Sequence, residues 1–269
     1  MEDVVTPSPS QQARIYAVTG AASGIGAATA ERLEQGGARV IGCDLRDAEV
    51  LGDLATASGR AALIEGVTRL CGGRLDGVVA NAGGGPAETM LSLNFFGAVA
   101  TLEGLRPLLA RSAAPRAVVV SSISSLGPTD PILIEACLAG DEAAANTAGE
   151  AALAASKSAL ELYGSAKHAL TRWCRRAASG PQWAGAGIAL NIAAPGIIDT
   201  PAAAYILSDP DLRAQMGAMV PLSGAYPGSP AAMAALLAWL ASAENALLTG
   251  QVLFADAGFE VRARGEKSW

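Results

Sequence analysis

The stretch Arg14-Ile15-Tyr16-Ala17-Val18-Thr19-Gly20-Ala21-Ala22-Ser23-Gly24-Ile25-Gly26 decides the fold. Arg14–Thr19 is a short apolar run of strand type, and Ile25–Gly36 is Ala-rich and helical, closed by Gly36-Gly37 as a C-cap. Between them lies a glycine-rich turn, Thr19–Gly26. Glycine there lets the backbone turn tightly and approach a diphosphate, while the helix N-terminus offers free N–H groups and partial positive charge. A plain strand-to-helix turn is the bland alternative, and the position after a strand and before a helix argues against it.

The same rhythm continues outward. Arg39–Cys43, Leu75–Ala80, Arg116–Val120, Ile188–Ala193 and Gly250–Ala255 read as strands. Ser58–Cys71, Thr89–Ser112 (kinked or tightened near Pro107), Ala148–Ser179 and Pro230–Ser242 read as helices. The strands are apolar without alternation, as parallel strands covered on both faces are. The fold class is α/β, a doubly wound parallel sheet with helices on both faces. No linker divides the chain, so residues 13–269 form one domain behind a flexible tail, 1–12. Leu126–Thr147 and Pro201–Ser229 lack regular signal, and the Ala-rich segment Ala136–Ala155 is either a cleft-lining helix or a packed cover.

Of 269 residues, 51% are apolar and 16% charged, which excludes a disordered chain and points to an oligomer. The balance of 19 basic against 25 acidic residues argues against nucleic acid as a partner. The longest apolar run, Ala231–Ala241, is too short to span a membrane, and the polar N-terminus does not read as a signal peptide. The four cysteines (Cys43, Cys71, Cys137, Cys174) are too dispersed for a metal knuckle and read as free thiols in a reducing, cytoplasmic compartment. With His168 as the single histidine, no metal site is expected.

Asp44 ends the second strand 18 residues after Gly26, where a dinucleotide fold places an acid on the adenosine ribose. Its charge repels a 2′-phosphate and so selects NAD (NADH) over NADP, although Arg46 is close enough to offset it. Leu45, Asp53 and Leu54 are placed at the adenine end, and Asn81-Ala82-Gly83 beside the same nucleotide. Within the turn, Gly20, Ser23, Gly24, Ile25 and Gly26 are the cofactor contacts. Tyr163 and Lys167 stand i, i+4 on one helix face. An ammonium there is expected to lower the phenol pKa and make it a general acid/base. Ser122 ends the fourth strand, on the edge where open α/β sheets bind ligands. Asn94, in an apolar stretch, needs a polar partner. His168 lies about 100° round the helix from Lys167 and reads as structural. Trp173, Trp183 and Trp239 read as core or interface.

These residues together resemble the short-chain dehydrogenase/reductases over roughly residues 14–260: the TGxxxGxG turn at 19–26, Asn81-Ala82-Gly83, Asn94, Ser122, Tyr163/Lys167 and Pro195-Gly196. The resemblance implies a Rossmann-like fold, a tetrad of Asn94, Ser122, Tyr163 and Lys167, and cofactor contacts from Tyr163, Lys167, Pro195, Gly196, Ile198 and Thr200. Residues 41–50 and the 41-position separation of Ser122 from Tyr163 are similar to the 3α-hydroxysteroid dehydrogenase/carbonyl reductase branch. That likeness implies an extra segment near the substrate cleft and a homodimer through the Pro230–Ser242 helix and the last strand, with a tetramer as the alternative. The family's terminal Asp-Gly-Gly reads Asp256-Ala257-Gly258 here. Ser124 competes with Ser122 as the substrate serine, since Gly127 follows it by three. The expected activity is NAD-dependent interconversion of a secondary alcohol and a ketone on a small apolar substrate. A hydroxysteroid leads, non-steroid cyclic or aryl ketones follow, and a non-catalytic nucleotide binder is the reading from another class.

Overall fold

The computed structural model describes residues 11–266. These build one parallel sheet in the order β3-β2-β1-β4-β5-β6-β7. The strands are β1 (Ile15–Thr19), β2 (Arg39–Asp44), β3 (Val50–Leu51), β4 (Gly77–Ala80), β5 (Arg116–Val120), β6 (Ala189–Pro195) and β7 (Val252–Ala255). The chain winds outward through β2 and β3, then returns to place β4 on the other side of β1. That reversal opens a crevice between the loops leaving β1 and β4, the place where such sheets bind ligands.

Alternate strand residues fill opposite cores. Ala17, Ile41, Val78, Ala117, Val119 and Ile192 face one side. Helices α2 (Ala57–Leu70), α3 (Ala98–Leu109) and, further along the chain, Ala159–Ala178 close that side with Leu63, Leu102, Leu105 and Leu170. Tyr16, Val18, Val40, Val79, Val118 and Ala193 face the other side, closed by Leu33 of α1 (Gly24–Gln35) and by Met233 and Leu237 from the segment Pro230–Leu240. Both faces are apolar, which is why the strands show no polar alternation.

The Ala148–Ser179 helix of the sequence reading is two helices. After α4 (Pro131–Ala139), α5 (Glu142–Ala154) ends before a break, and α6 runs over Ala159–Ala178. The break has a local cause: Ser156 takes φ +65°, and the Ser158 hydroxyl caps Glu161 N. The supposedly irregular 126–147 stretch holds α4 and the start of α5, each capped by an aspartate, Asp130 and Asp141. The 201–229 stretch holds α7 (Ala204–Leu207) and α8 (Pro210–Ala218), neither with a buried residue. Thr89–Ser112 is not one regular helix either. A 3₁₀ turn at Ala87–Thr89 leads through a wide π turn at Ser92–Gly97 into α3, whose last turn carries Pro107. The chain closes with α9 (Pro230–Leu240), β7 and α10 (Phe259–Arg264).

Polar ties hold the α4–α5 segment down. Asp130 binds Lys157 Nζ at 2.8 Å, and its amide donates to Ser165 Oγ of α6 at 2.8 Å. Arg60 of α2 donates to Glu142 at 2.6 Å and to the Leu54 and Ser92 carbonyls. Among the described residues no helix is long and apolar enough to cross a membrane.

Candidate active site

The crevice begins at the glycine turn. Gly20 and Gly24 take positive φ, 70° and 55°, and a Cβ on Gly26 would lie 2.0 Å from the Gly20 carbonyl oxygen. No side chain fits where the turn doubles back, so bare backbone is presented at the start of α1. The α1 first turn holds no acid, and the exposed Ser23 side chain does not cap it. Free N–H groups, a helix N-terminus and absent side chains fit a diphosphate.

The turn is braced from its neighbours. Thr19 Oγ1 accepts the amides of Asn81 and Ala82, each at 3.0 Å, and Asn81 Nδ2 returns to the Thr19 carbonyl at 3.1 Å. Thr19 opens the glycine motif and clasps β1 to β4, a role that depends on a partner 62 positions away and leaves no local signal in the sequence. Asp44, at the end of β2, accepts Ala22 N at 3.0 Å and Leu45 N at 2.7 Å, so its carboxylate lies against the turn. Leu45 is exposed, Asp53 caps Ala55 N at 2.9 Å, and the Leu54 side chain sits in the core beneath Gly97. Pro195 ends β6, and Gly196 closes on Asp256, where a Cβ would stand 2.9 Å from the Asp256 Cα. Ile198 is buried, and the Thr200 methyl packs 3.0 Å from the Cβ position of Gly24, which brings the 196–200 loop to the glycine turn. Next to it, Asp199–Pro201, Ala204, Leu207 and Ser208 line an open groove of about 520 Å³.

Ser122, Tyr163, Lys167 and Asn94 gather at the ends of β4 and β5. Lys167 is 2% exposed, donates to the Val120 carbonyl at 2.9 Å, and places Nζ 5.6 Å from the centre of the Tyr163 ring. Ser122 caps the 3₁₀ turn Ile123–Leu126 by accepting Ser124 N at 3.1 Å, and its hydroxyl lies close enough to the Tyr163 phenol to act on its ionisation. Between the two competing serines, Ser122 is thus the one that meets Tyr163; Ser124 gives the turn its amide. Asn94, fully buried in the π turn, is held by Gly84 N, Gly84 O and Met90 O, each at 2.9 Å. A Cβ on Gly83 would stand 2.9 Å from Asn94 Oδ1 and 3.0 Å from Lys167 Nζ, so this glycine lets the amide and the ammonium share one small space.

The electrostatics correct one expectation. Burial pushes the Tyr163 phenol up to about 12, with the Ser122 hydrogen bond pulling the other way. Burial likewise pulls Lys167 down to about 8. The Lys167 ammonium is directed to the Val120 carbonyl, and burial is the largest influence on the phenol. Among the described residues no three metal-ligating side chains cluster, and the four cysteines are buried and unpaired.

Residues 14–131 match the family model described as short chain dehydrogenase, and residues 133–260 match the one described as enoyl-(acyl carrier protein) reductase. The 3-alpha-hydroxysteroid dehydrogenase/carbonyl reductase of Comamonas testosteroni is 36% identical over 93% of this chain and 98% of its own. The 3-alpha-hydroxysteroid dehydrogenase of Pseudomonas sp. B-0831, solved with NADH, superposes with a TM-score of 0.85 at 35% identity, covering 94% of this chain and 99% of that one. The RhlG/NADP complex of Pseudomonas aeruginosa superposes at 0.72 with 28% identity, covering 94% and 99%. The chain therefore belongs to the short-chain dehydrogenase/reductase family of oxidoreductases.

Proposed function

We propose that this protein interconverts a ketone and a secondary alcohol on an apolar substrate with NAD(H), and that a hydroxysteroid or similarly bulky carbonyl compound is the substrate class. The observation that carries this reading is the convergence of the Ser122 hydroxyl and the Tyr163 phenol, with buried Lys167 behind them, beside the bare glycine turn. When bound, the nicotinamide supplies or accepts the hydride.

The chain's own residues handle the oxygen and its proton. Ser122 and Tyr163 both bond the carbonyl oxygen, and Tyr163 delivers the proton. A phenol pushed up to about 12 is protonated at neutral pH, which is the form a reductive step needs. Lys167 is held against the Val120 carbonyl, where it would help hold the ribose of a bound nicotinamide and could pass the replacement proton toward Tyr163. Asn94 steadies the space that it shares with Lys167 across Gly83 and holds the water that feeds it.

NAD preference is supported by Asp44, whose carboxylate lies against the glycine turn and meets a 2′-phosphate with like charge. The hydroxysteroid relative was solved with NADH. An apolar substrate is supported by Ile132 of α4, Tyr205 of α7, Leu212 of α8 and Met219 just after it, all exposed on the segments that flank the crevice. The homodimer is assigned to α9, where Trp239 is 40% exposed, and to β7, the sheet edge. Cytoplasmic residence rests on four buried thiols with no disulfide.

The test is a panel of hydroxysteroids, cyclic ketones and aryl ketones, assayed in both directions with both cofactors. Faster turnover of steroids with NADH supports the reading. Preference for NADPH would overturn the role of Asp44, and turnover confined to non-steroid ketones would replace the substrate class.

A further inference from the structure

Helix α6 presents two residue pairs spaced by four, on adjoining faces. Tyr163 and Lys167 face the reacting oxygen. Gly164 and His168 are each rotated about 100° from that pair and face the turn Ile123–Leu126 that Ser122 caps.

At Gly164 the contact is backbone on backbone: a Cβ there would lie 2.7 Å from the Ser124 carbonyl oxygen and 3.1 Å from that of Pro128. At His168 the contact is a hydrogen bond, with Nδ1 3.0 Å from the Ser125 carbonyl oxygen. A carbonyl only accepts, so Nδ1 carries the proton. Ser125 passes this restraint on. Its hydroxyl donates to the Ser122 carbonyl at 2.7 Å and its amide to the same oxygen at 3.1 Å. Ser124 N donates to Ser122 Oγ at 3.1 Å, which fixes the hydroxyl rotamer. His168, Ser125 and Ser122 thus form a chain of hydrogen bonds that ends at the Ser122 carbonyl, while Ser124 N of the same turn holds the Ser122 hydroxyl.

We propose that His168 is a positioning residue: from the helix that carries Tyr163, it clamps the Ser122 turn, so that the two groups bonding the substrate oxygen keep one fixed separation. The inference rests on the reading of Ser122 and Tyr163 given above. It gives the chain's single histidine a task that a space-filling side chain cannot perform. Without the donor, the Ser125 carbonyl loses its tie to α6, and the turn is free to shift by a fraction of an ångström.

Three variants separate the clamp from packing. His168→Leu fills the space without a donor, His168→Ala removes both, and His168→Asn keeps an amide near the Nδ1 position. Misplacement approaching 1 Å costs up to ~100-fold in rate, so His168→Leu and His168→Ala should lower kcat by roughly tenfold or more. NADH affinity should stay at the wild-type level, and His168→Asn should recover most of the loss. A wild-type kcat in His168→Leu, or no recovery in His168→Asn, would overturn the proposal.

A second readout does not depend on turnover. With one imidazole in the chain, its side-chain nitrogen signals are unambiguous. At mildly alkaline pH they should show a protonated Nδ1 and a bare Nε2, and His168→Leu should shift the amide signals of Ser122–Ser125. The opposite tautomer, or unmoved amides, would refute the clamp. If the wild-type protein reduces no carbonyl compound, the functional reading falls, and these signals still decide whether the clamp exists.

Discussion

Replacing Gly164 by alanine sets two effects of known sign against each other. Alanine is the better helix residue by about 1 kcal/mol in a helix interior, so propensity alone favours the variant. Packing opposes it. The new Cβ would stand 2.7 Å from the Ser124 carbonyl oxygen and 3.1 Å from that of Pro128, where ordinary contact begins near 3.4 Å. Both neighbours are backbone, so α6 and the serine turn must separate by about 0.7 Å. Forcing a methyl group into a tight contact costs roughly 1–3 kcal/mol, so the net loss of stability is about 0–2 kcal/mol. The kinetic effect should be larger, because that separation moves Ser122 away from Tyr163. With ~100-fold per ångström of misplacement as the scale, kcat should fall roughly tenfold to thirtyfold. The assay is steady-state reduction of the best ketone from the panel, with thermal melts and NADH titration run alongside. NADH binding should be unchanged, since the glycine turn at the start of α1 is untouched. A variant with a lower melting temperature but wild-type kcat would show that the serine turn does not set the rate. A higher melting temperature with unchanged kcat would show that helix and turn are not in contact.

Tyr163→Phe should abolish turnover and leave NADH binding intact; residual turnover near the wild-type rate would remove the phenol from the chemistry. Stability should also vary with pH in a defined order. Lys167 is pulled down to about 8 from 10.5, so between these values the unfolded chain holds a proton that the folded chain has lost, and stability rises with pH. Tyr163 is pushed up to about 12 from 10.0, so the folded chain keeps a proton that the unfolded chain loses, and stability falls over that range. The Lys167 contribution is on the order of 3 kcal/mol at most. Denaturant midpoints against pH should show the rise in the wild-type protein and not in Lys167→Met; a Lys167→Met profile that still rises would assign the effect elsewhere. Asp44→Ala should raise the efficiency with NADPH relative to NADH, as measured by the ratio of kcat/KM, and an unmoved ratio would show that cofactor choice lies outside Asp44.

What the sequence made legible depends on how local the cause is. The glycine turn could be read because its logic is confined to neighbouring backbone, and Tyr163/Lys167 because four residues make one helical turn. Asp130, Asp141 and Ser158 are also local signals, and Ser158 with Glu161 is a capping pattern, yet the run of alanines around them masked the division into α4, α5 and α6. β3 is two residues long, too short for any periodicity. Helices α7 and α8 bury no residue, so no apolar stripe marked them. The sign of the Tyr163 shift was out of reach for a different reason. Spacing places an ammonium near a phenol, but the outcome depends on what else the ammonium binds and how much water both lose. Lys167 finds the carbonyl of Val120, 47 positions away in the chain, and the sheet edge and α6 together dehydrate the pair. A charge pair in water would favour phenolate; the same pair under a sheet edge favours the neutral phenol, because desolvation acts on each charge separately while attraction acts only between them. The fold therefore sets how far above neutrality the Tyr163 phenol gives up its proton.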